Sequence, residues 1–453
     1  MNITLINNLR LSNVPPKLMA ILTERLEFPN PKWIENARMN RWNRGTPKTL
    51  KFYDKIRGNG LWIPRGYMRQ LILLCRRHKV NYLIEDKRRI LKKVSFSFTG
   101  RLKPFQQKAV DRMLSKEFGT LSSPTGSGKT IMALHIISER NQPALIVVHT
   151  RELAVQWTER IETFLKIPAL EVGFIGGGKK KIGEKITVAL VQSLYKCASE
   201  VSQHIGNLVV DECHRAPSRT FTEAVTEFDS KYMLGLSATP YRRDNLSKLI
   251  FWHLGDVHHE VDKNHLIETG DVLPVRVITR ETDFKPYFDP VNHYSKMLLE
   301  LTMNDKRNHL IAADVAKETQ KERSGVCLVL SDRKKHCETL QSLLRYKYKT
   351  SSELLTGSLS AGHRQKVIDR LNKGRVKVLI ATGQLIGEGF DCKDLSTLFL
   401  ATPIRFSGRV VQYLGRILRP APGKEKARLF DYVDINVDTL KNAARARQKV
   451  YNA

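Results

Sequence analysis

Acidic residues are scarce in this sequence. Only 45 Asp and Glu stand against 76 Lys and Arg over 453 residues, a formal net charge of +31. That shortage decides nothing about fold, but it points to an anionic partner, a polyanion first and a lipid surface second. Cysteine is scarce too. Cys75, Cys197, Cys213, Cys327, Cys337 and Cys392 follow no repeating spacing, which excludes a disulfide framework or a zinc module and fits a reducing compartment. No apolar run approaches the roughly 18 residues of a membrane span. The N-terminal stretch lacks a basic segment followed by an apolar one, so no secretory signal is expected. What the chain does have is 41% hydrophobic residues, enough for full cores. Its length suggests about three domains.

The charge is unevenly placed. Residues 1–100 hold 21 Lys and Arg against 6 Asp and Glu, and the other 353 hold 55 against 39. Charge density is therefore about threefold higher in the first hundred residues. Trp33, Trp42 and Trp62 also lie there. Basic residues interleaved with aromatics suit phosphate neutralisation plus base stacking, while Trp33 and Trp62 are expected to lie mostly in a core. This first segment reads as a strand at Ile3–Ile6, a helix from Pro16, a strand at Leu61–Pro64 and a basic amphipathic helix at Tyr67–Arg77. The charge-rich run Asp86–Lys93 closes it.

From about residue 97 short β-branched runs alternate with helical stretches. Ala144–His149, Ile186–Leu190, Leu208–Val210 and Tyr232–Leu236 form one series. Val326–Leu330, Lys377–Ile380, Thr397–Leu400 and Ala427–Val433 form another. The alternation predicts two successive parallel α/β halves joined near residues 262–280.

The strongest local signal is Ser123-Pro124-Thr125-Gly126-Ser127-Gly128-Lys129-Thr130, followed by an apolar helical run. Small residues let successive backbone N–H groups of Thr125, Gly126, Ser127 and Gly128 converge on phosphate oxygens at a helix N-terminus. Lys129 would reach the β/γ-phosphates and the Thr130 hydroxyl would ligate Mg²⁺. Ser123 stands where the pattern has its first glycine. Asp211-Glu212-Cys213-His214 directly follows the strand Leu208–Val210, and strand ends of an α/β sheet lie beside such a loop. Asp211 would hold Mg²⁺ and Glu212 would polarise the attacking water. His214 would couple nucleotide state to Ser237-Ala238-Thr239. Late in the chain, Gln412, Arg416 and Arg419 share a helix face at i, i+4 and i+7. Facing the nucleotide, the two arginines would be arginine fingers and Gln412 would couple to them.

Taken in order, these residues resemble the superfamily 2 helicases of the DExH type over about residues 98–435. Phe105-Gln106, Thr150-Arg151-Glu152-Leu153 with Gln156-Trp157, Val191-Gln192-Ser193-Leu194, Thr382, and Gly387-Glu388-Gly389-Phe390-Asp391 complete the resemblance. It implies an α/β fold of two tandem RecA-like parallel-sheet domains, residues 98–272 and 273–453, behind a small basic N-terminal α+β domain at 1–97. It also implies that Gln106 reads adenine, that Arg151, Gln192 and Thr382 lie near the nucleic-acid backbone, and that Gly389 and Asp391 border the nucleotide. Tyr241-Arg242-Arg243-Asp244 is similar to the Arg-Glu-Asp element of XPB-like repair helicases, with Arg243 in place of the Glu. Asn30-Pro31 and Leu61-Trp62-Ile63-Pro64-Arg65-Gly66 resemble the N-terminal domain of phage UvsW-like recombination helicases.

The function these features imply is an ATP-dependent DNA helicase that unwinds or branch-migrates forked and junction DNA in recombination, repair or replication, with 3′-to-5′ polarity. The expected partners are single-stranded and branched DNA, with recombination or replication proteins beside them. A monomer in the cytoplasm of a bacterial or phage-infected cell is expected, with no membrane association. An RNA helicase, a motor subunit of a restriction system and a binding protein with a retired ATPase are the alternatives. Gly176–Lys181 reads as a basic surface loop, and Lys441–Lys449 as a solvated terminal helix.

Overall fold

The computed structural model describes residues 1–453 apart from 216–218, 239–246, 322–324, 358, 384–391, 393, 405–409, 411–412, 416, 419, 422–423, 425 and 452–453. The chain forms two compact units, residues 1–123 with 128–261 and residues 124–127 with 262–453.

The first unit opens with a small sheet. Its strands are β1 (Asn2–Leu5), β2 (Asn8–Ser12), β5 (Asp54–Ile56), β6 (Gly60–Pro64) and β7 (Leu83–Asp86), in the order β5-β6-β2-β1-β7. Between β2 and β5 an excursion carries the short pair β3 (Glu27–Pro29) and β4 (Thr49–Lys51). Strand alternation sends Ile3, Leu5, Leu9, Leu11, Leu61 and Ile63 to one buried face. They pack with Leu18 and Leu22 of the helix Pro16–Arg25 and Leu71 and Leu74 of the helix Met68–Arg77. On the other face Thr4, Arg10 and Trp62 sit in register, with the Arg10 guanidinium 5.8 Å from the Trp62 ring centre. Trp62 and Trp33 are half-buried, not the core residues the sequence suggests, and Trp42 is exposed.

This sheet is welded to the larger sheet of the same unit. Leu249 and Trp252 of the helix Ser247–Leu254 complete its core. Arg65, at the end of β6, is fully buried and donates to the Ser230 carbonyl at 2.8 Å. It lies over the Phe118 ring, and burial, then Arg88, lowers its pKa to about 9. Arg88 bridges Asp86 and Glu117, and Arg89 grips Asp229 with two bonds of 2.8 and 3.0 Å. The charge-rich run expected to close a domain is the seam between two layers.

The larger sheet has the order β11-β10-β12-β9-β13-β14-β8-β15. Its strands are β8 (Phe118–Ser122), β9 (Ala144–Val148), β10 (Gly173–Gly176), β11 (Lys179–Lys181), β12 (Ile186–Leu190), β13 (Asn207–Val210), β14 (Tyr232–Ser237) and β15 (Val257–Glu260). All run parallel except β11. β9 and β13 are buried along their whole length, which is why they read as unbroken apolar runs. The Gly176–Lys181 segment is not a loop. It is a hairpin with a Gly177-Gly178 turn that adds an edge strand, and Lys180 pairs with Glu200.

The second unit holds a wholly parallel sheet in the order β16-β21-β20-β17-β19-β18. These are β16 (Val275–Thr282), β17 (Val326–Ser331), β18 (Glu353–Leu355), β19 (Val378–Thr382), β20 (Leu395–Leu400) and β21 (Ala427–Asp434). Two aspartates of β21 anchor buried arginines: Asp434 takes Arg307 at 2.9 Å, and Asp431 takes Arg447 through bonds of 2.9 and 2.7 Å. Arg447 belongs to the terminal helix Asp438–Tyr451. That helix buries Leu440, Ala443, Ala444 and Tyr451 as well, so only its other face is solvated.

Gly66 marks the tightest point of the weld. A Cβ there would lie 2.1 Å from the Phe251 carbonyl and 2.6 Å from that of Trp252. Both obstacles are backbone, so neither side yields cheaply. Gly66→Ala is expected to lower unfolding stability by about 2–3 kcal/mol, read as a shift of the urea midpoint. An unmoved midpoint would show that the two layers are not locked there.

Candidate nucleotide site and nucleic-acid edge

In a parallel sheet every strand delivers its following loop to the same edge, and the strand order decides what meets there. β14 lies between β13 and β8, so Ser123 just after β8 and the acidic turn after β13 stand two strand spacings apart, about 10 Å. Side chains span that distance.

The loop runs from Ser123 to Gly128, ahead of the helix Lys129–Arg140. Gly126 and Gly128 have φ of +90° and +88°, the left-handed region that side chains disfavour. At Gly128 space is also lacking, since a Cβ would lie 2.4 Å from Gln106 Nε2. Gln106 is buried and accepts from the Lys103 backbone at 2.9 Å, which seats it against the start of the loop's helix. Lys129 Nζ donates to the Ser123 carbonyl at 3.1 Å, and Ser127 Oγ donates to the Pro124 carbonyl at 2.6 Å. The lysine thus rests on a backbone carbonyl that any residue at position 123 would supply. Thr130, the second residue of the helix, is half-buried.

Asp211 is buried. Its Oδ2 accepts from Trp157 Nε1 at 2.8 Å, and its Oδ1 accepts from the Glu212 backbone at 2.9 Å. Burial and then the neighbouring Glu212 carboxylate raise its pKa to about 6, while Trp157 and Lys129 pull the other way. Glu212 has φ +47°, an uncommon conformation for a residue other than glycine. His214 Nδ1 lies 3.2 Å from Glu212 Oε2 and 3.2 Å from Ser237 Oγ. The histidine therefore links the acidic turn to the end of β14.

The other half of the edge carries exposed polar residues. Val148 of β9 pairs with Leu190 of β12, so Arg151 and Gln192 emerge side by side from adjacent strand ends. Thr150 caps Arg151's helix by accepting from Leu153 N at 3.3 Å, and Gln192 Nε2 donates to the His149 carbonyl at 3.3 Å. In the second unit Thr382 ends β19 beside Ser331, and Tyr413 Oη donates to the Gly383 carbonyl at 2.7 Å. Thr239, Gly389, Asp391, Gln412, Arg416 and Arg419 lie outside the described residues, as does the stretch 241–244.

Trp157 is the residue whose task sequence reasoning missed. It sits in a helix whose buried positions are Ala154, Trp157, Ile161 and Leu165. A buried indole N–H needs an acceptor, and that requirement was the available signal.

Two family models match the chain. Residues 99–242 match the model described as type III restriction enzyme, res subunit, and residues 305–421 match the helicase conserved C-terminal domain. Among curated relatives, a putative ATP-dependent RNA helicase, L396, of Acanthamoeba polyphaga mimivirus is 28% identical, with 78% of this chain and 68% of the relative covered. The DNA 3′-5′ translocase XPB2 of Sulfurisphaera tokodaii is 26% identical over 70% of this chain and 78% of its own. The solved structure of S. cerevisiae Dbp5 bound to RNA and ADP BeF3 aligns with a TM-score of 0.55 at 18% identity, covering 78% of this chain and 88% of that one. At that identity it speaks to fold alone, that of two RecA-like domains.

Trp157→Phe would keep the packing and remove the indole donor. Asp211 would lose a bond that favours its ionised form, so its pKa would rise further. The acid limb of the ATPase pH profile is expected to move to higher pH, and the Mg²⁺ needed for half-maximal activity to rise about tenfold. A profile and a Mg²⁺ requirement identical to wild type would deny Trp157 this part.

Proposed function

The chain belongs to the superfamily 2 helicases and uses ATP, and from that premise we propose that it is a DNA motor that moves 3′-to-5′ and opens or branch-migrates forked and junction DNA. The observation that carries the reading is the shared edge of the first motor sheet. The phosphate loop and acidic turn occupy one half of it, and exposed Arg151 and Gln192 occupy the other. Nucleotide-dependent movement at the first half reaches the second through strands that are fully buried and stiff.

Roles follow from chemistry. Lys129 neutralises the β/γ-phosphates, and the N–H groups of Thr125 to Gly128 cradle them. Among the described residues no cluster of three or more His, Cys, Asp or Glu builds a protein cage for a metal. That suits Mg²⁺, which takes one or two protein oxygens plus phosphates and water, here Thr130 and Asp211. The raised pKa of Asp211 fits a carboxylate whose charge awaits a cation. Glu212 orients the attacking water, and His214 passes the state of that turn to Ser237. Gln106 reads adenine. Gly389 and Asp391 border the nucleotide, Arg416 and Arg419 stabilise charge developing in transfer, and Gln412 and Thr239 couple to them.

DNA as the track is supported by the naming of the XPB2 relative as a DNA 3′-5′ translocase and of a Halobacterium salinarum relative as a putative DNA 3′-5′ helicase. The viral relative named an RNA helicase stands against it. Branched DNA is supported by the charge, since the first hundred residues hold +15 of the +31 in a sheet fused to motor half one.

ATPase stimulation by single-stranded DNA and by RNA of the same sequence separates the tracks, with DNA expected to dominate. Stimulation by RNA alone would sink the proposal, and stimulation only after a partner subunit is added would favour a restriction motor. Forks and Holliday junctions should be processed faster than plain tailed duplexes; the reverse preference would defeat the branched-DNA part. Glu212→Gln should bind ATP normally and hydrolyse it at least about 100-fold more slowly, measured by phosphate release. Mg²⁺ binding to the metal-free protein should also weaken as pH falls through about 6, where Asp211 takes up its proton, measured by calorimetry.

A further inference from the structure

Trp42 is 84% exposed, more than almost any other large apolar side chain in the described residues. Leaving an indole in water is unfavourable, and a floppy loop would fold it away. This loop is not floppy. The helix Pro31–Arg38 stops at Asn40, whose φ is +49°, and Arg41 N then donates back to the Asn36 carbonyl at 2.8 Å. On the far side Asn43 Nδ2 donates to the Trp33 carbonyl at 3.2 Å, and Asn36 Nδ2 donates to Asn43 Oδ1 at 3.1 Å. Trp42 therefore sits between two residues that are each tied to the helix, Arg41 through its backbone and Asn43 through its side chain. The neck of the excursion is closed as well. Asn30 Nδ2 donates to the Pro47 carbonyl at 2.8 Å, and Asn30 N to that of Lys48 at 2.9 Å.

The mounting below is rigid and reaches the motor. Phe28 of β3 and Phe52, just after β4, stack at 5.4 Å and 5°. Both pack on Trp252, at 5.9 and 5.3 Å between ring centres. Trp252 lies on the first helix described after Ser237 in the chain. The projecting ring is thus carried on motor half one through aromatic contacts.

The charge around the ring is of one sign. Residues 30–51 hold Lys32, Arg38, Arg41, Arg44, Lys48 and Lys51 against Glu35 alone. Arg41 and Arg44, on either side of Trp42, are both exposed. A flat apolar ring between two cations matches one feature of DNA closely: the face of a base pair that has lost its stacking neighbour, between two phosphate chains. That face exists where a duplex opens.

We propose that Trp42 is a stacking wedge, laid on the terminal base pair at a DNA branch point, with Arg41 and Arg44 on the flanking phosphates. This rests on DNA being the track. Carried on motor half one, the wedge holds the fork while the motor draws a strand, so that translocation becomes separation. It therefore acts on junctions and not on single strands.

The test uses the full chain as wild type, Trp42→Ala and Trp42→Phe. The substrates are a fork with 2-aminopurine at its first paired position and the single strand of the same sequence. The wedge requires Trp42→Ala to lose about tenfold in fork unwinding, Trp42→Phe to keep most of it, and all three to share one single-strand-stimulated ATPase. The 2-aminopurine signal should change on adding wild type or Trp42→Phe, and not on adding Trp42→Ala. Equal fork unwinding by all three would overturn the wedge. So would a loss of single-strand ATPase in Trp42→Ala that matches its loss of unwinding. A wild-type ATPase that DNA fails to stimulate would instead bring down the DNA reading and the wedge with it. A DNA-stimulated wild type with indifferent Trp42 variants would remove the wedge alone.

Discussion

A parallel sheet can collect loops on one edge only because every strand points the same way, and that requires both faces of the sheet to be dry. The rest of this molecule follows from the condition. β9 and β13 are buried end to end, helices cover the faces, and the polar residues that remain are pushed to the strand ends. There they meet in the sequence of the sheet order, not of the chain. Ser123, Asp211 and Ser237 come together because β14 inserts between β13 and β8. Arg151 and Gln192 come together because β9 pairs with β12.

Asp211 shows what that confinement does to chemistry. A carboxylate in a buried turn beside a second carboxylate resists ionising. One indole N–H and one backbone N–H hold it in place, and Lys129 lends a field from across the edge. The site is thereby set to welcome positive charge. His214 touches both Glu212 and Ser237, so the carboxylates cannot shift without the end of β14 responding.

The basic first hundred residues are less separate than their composition suggests. Arg65 is buried against Ser230, Gly66 touches the carbonyls of Phe251 and Trp252, and Arg88 and Arg89 reach Glu117 and Asp229. Whatever the small sheet grips, the first motor half moves with it. Composition marked this segment as a different kind of surface, but composition has no access to a shared core. The same limit explains the hairpin at Gly176–Lys181 and the docked terminal helix. Lys179, Lys180 and Lys181 look like loop residues because an edge strand needs no apolar face. Arg447 looks solvated because its partner Asp431 is a neighbour only in space.

By itself, then, the sequence determined the elements with strong local signals. The strands Ile186–Leu190, Asn207–Val210 and Val326–Ser331 follow from short, mostly apolar runs rich in Val and Leu. The loop Ser123–Gly128 ahead of a helix follows from its glycines and the apolar run behind it, and the acidic turn from its position at a strand end. These are local because backbone sterics and side-chain periodicity act over a few residues. Tertiary structure alone decided Trp157 as the partner of Asp211, the seating of Gln106 on Gly128, the fusion of the small sheet to the motor and the pinned exposure of Trp42. Each of those joins residues far apart in the chain, or depends on what fails to cover a side chain. Burial is a property of the whole packed molecule, and no window of sequence contains it.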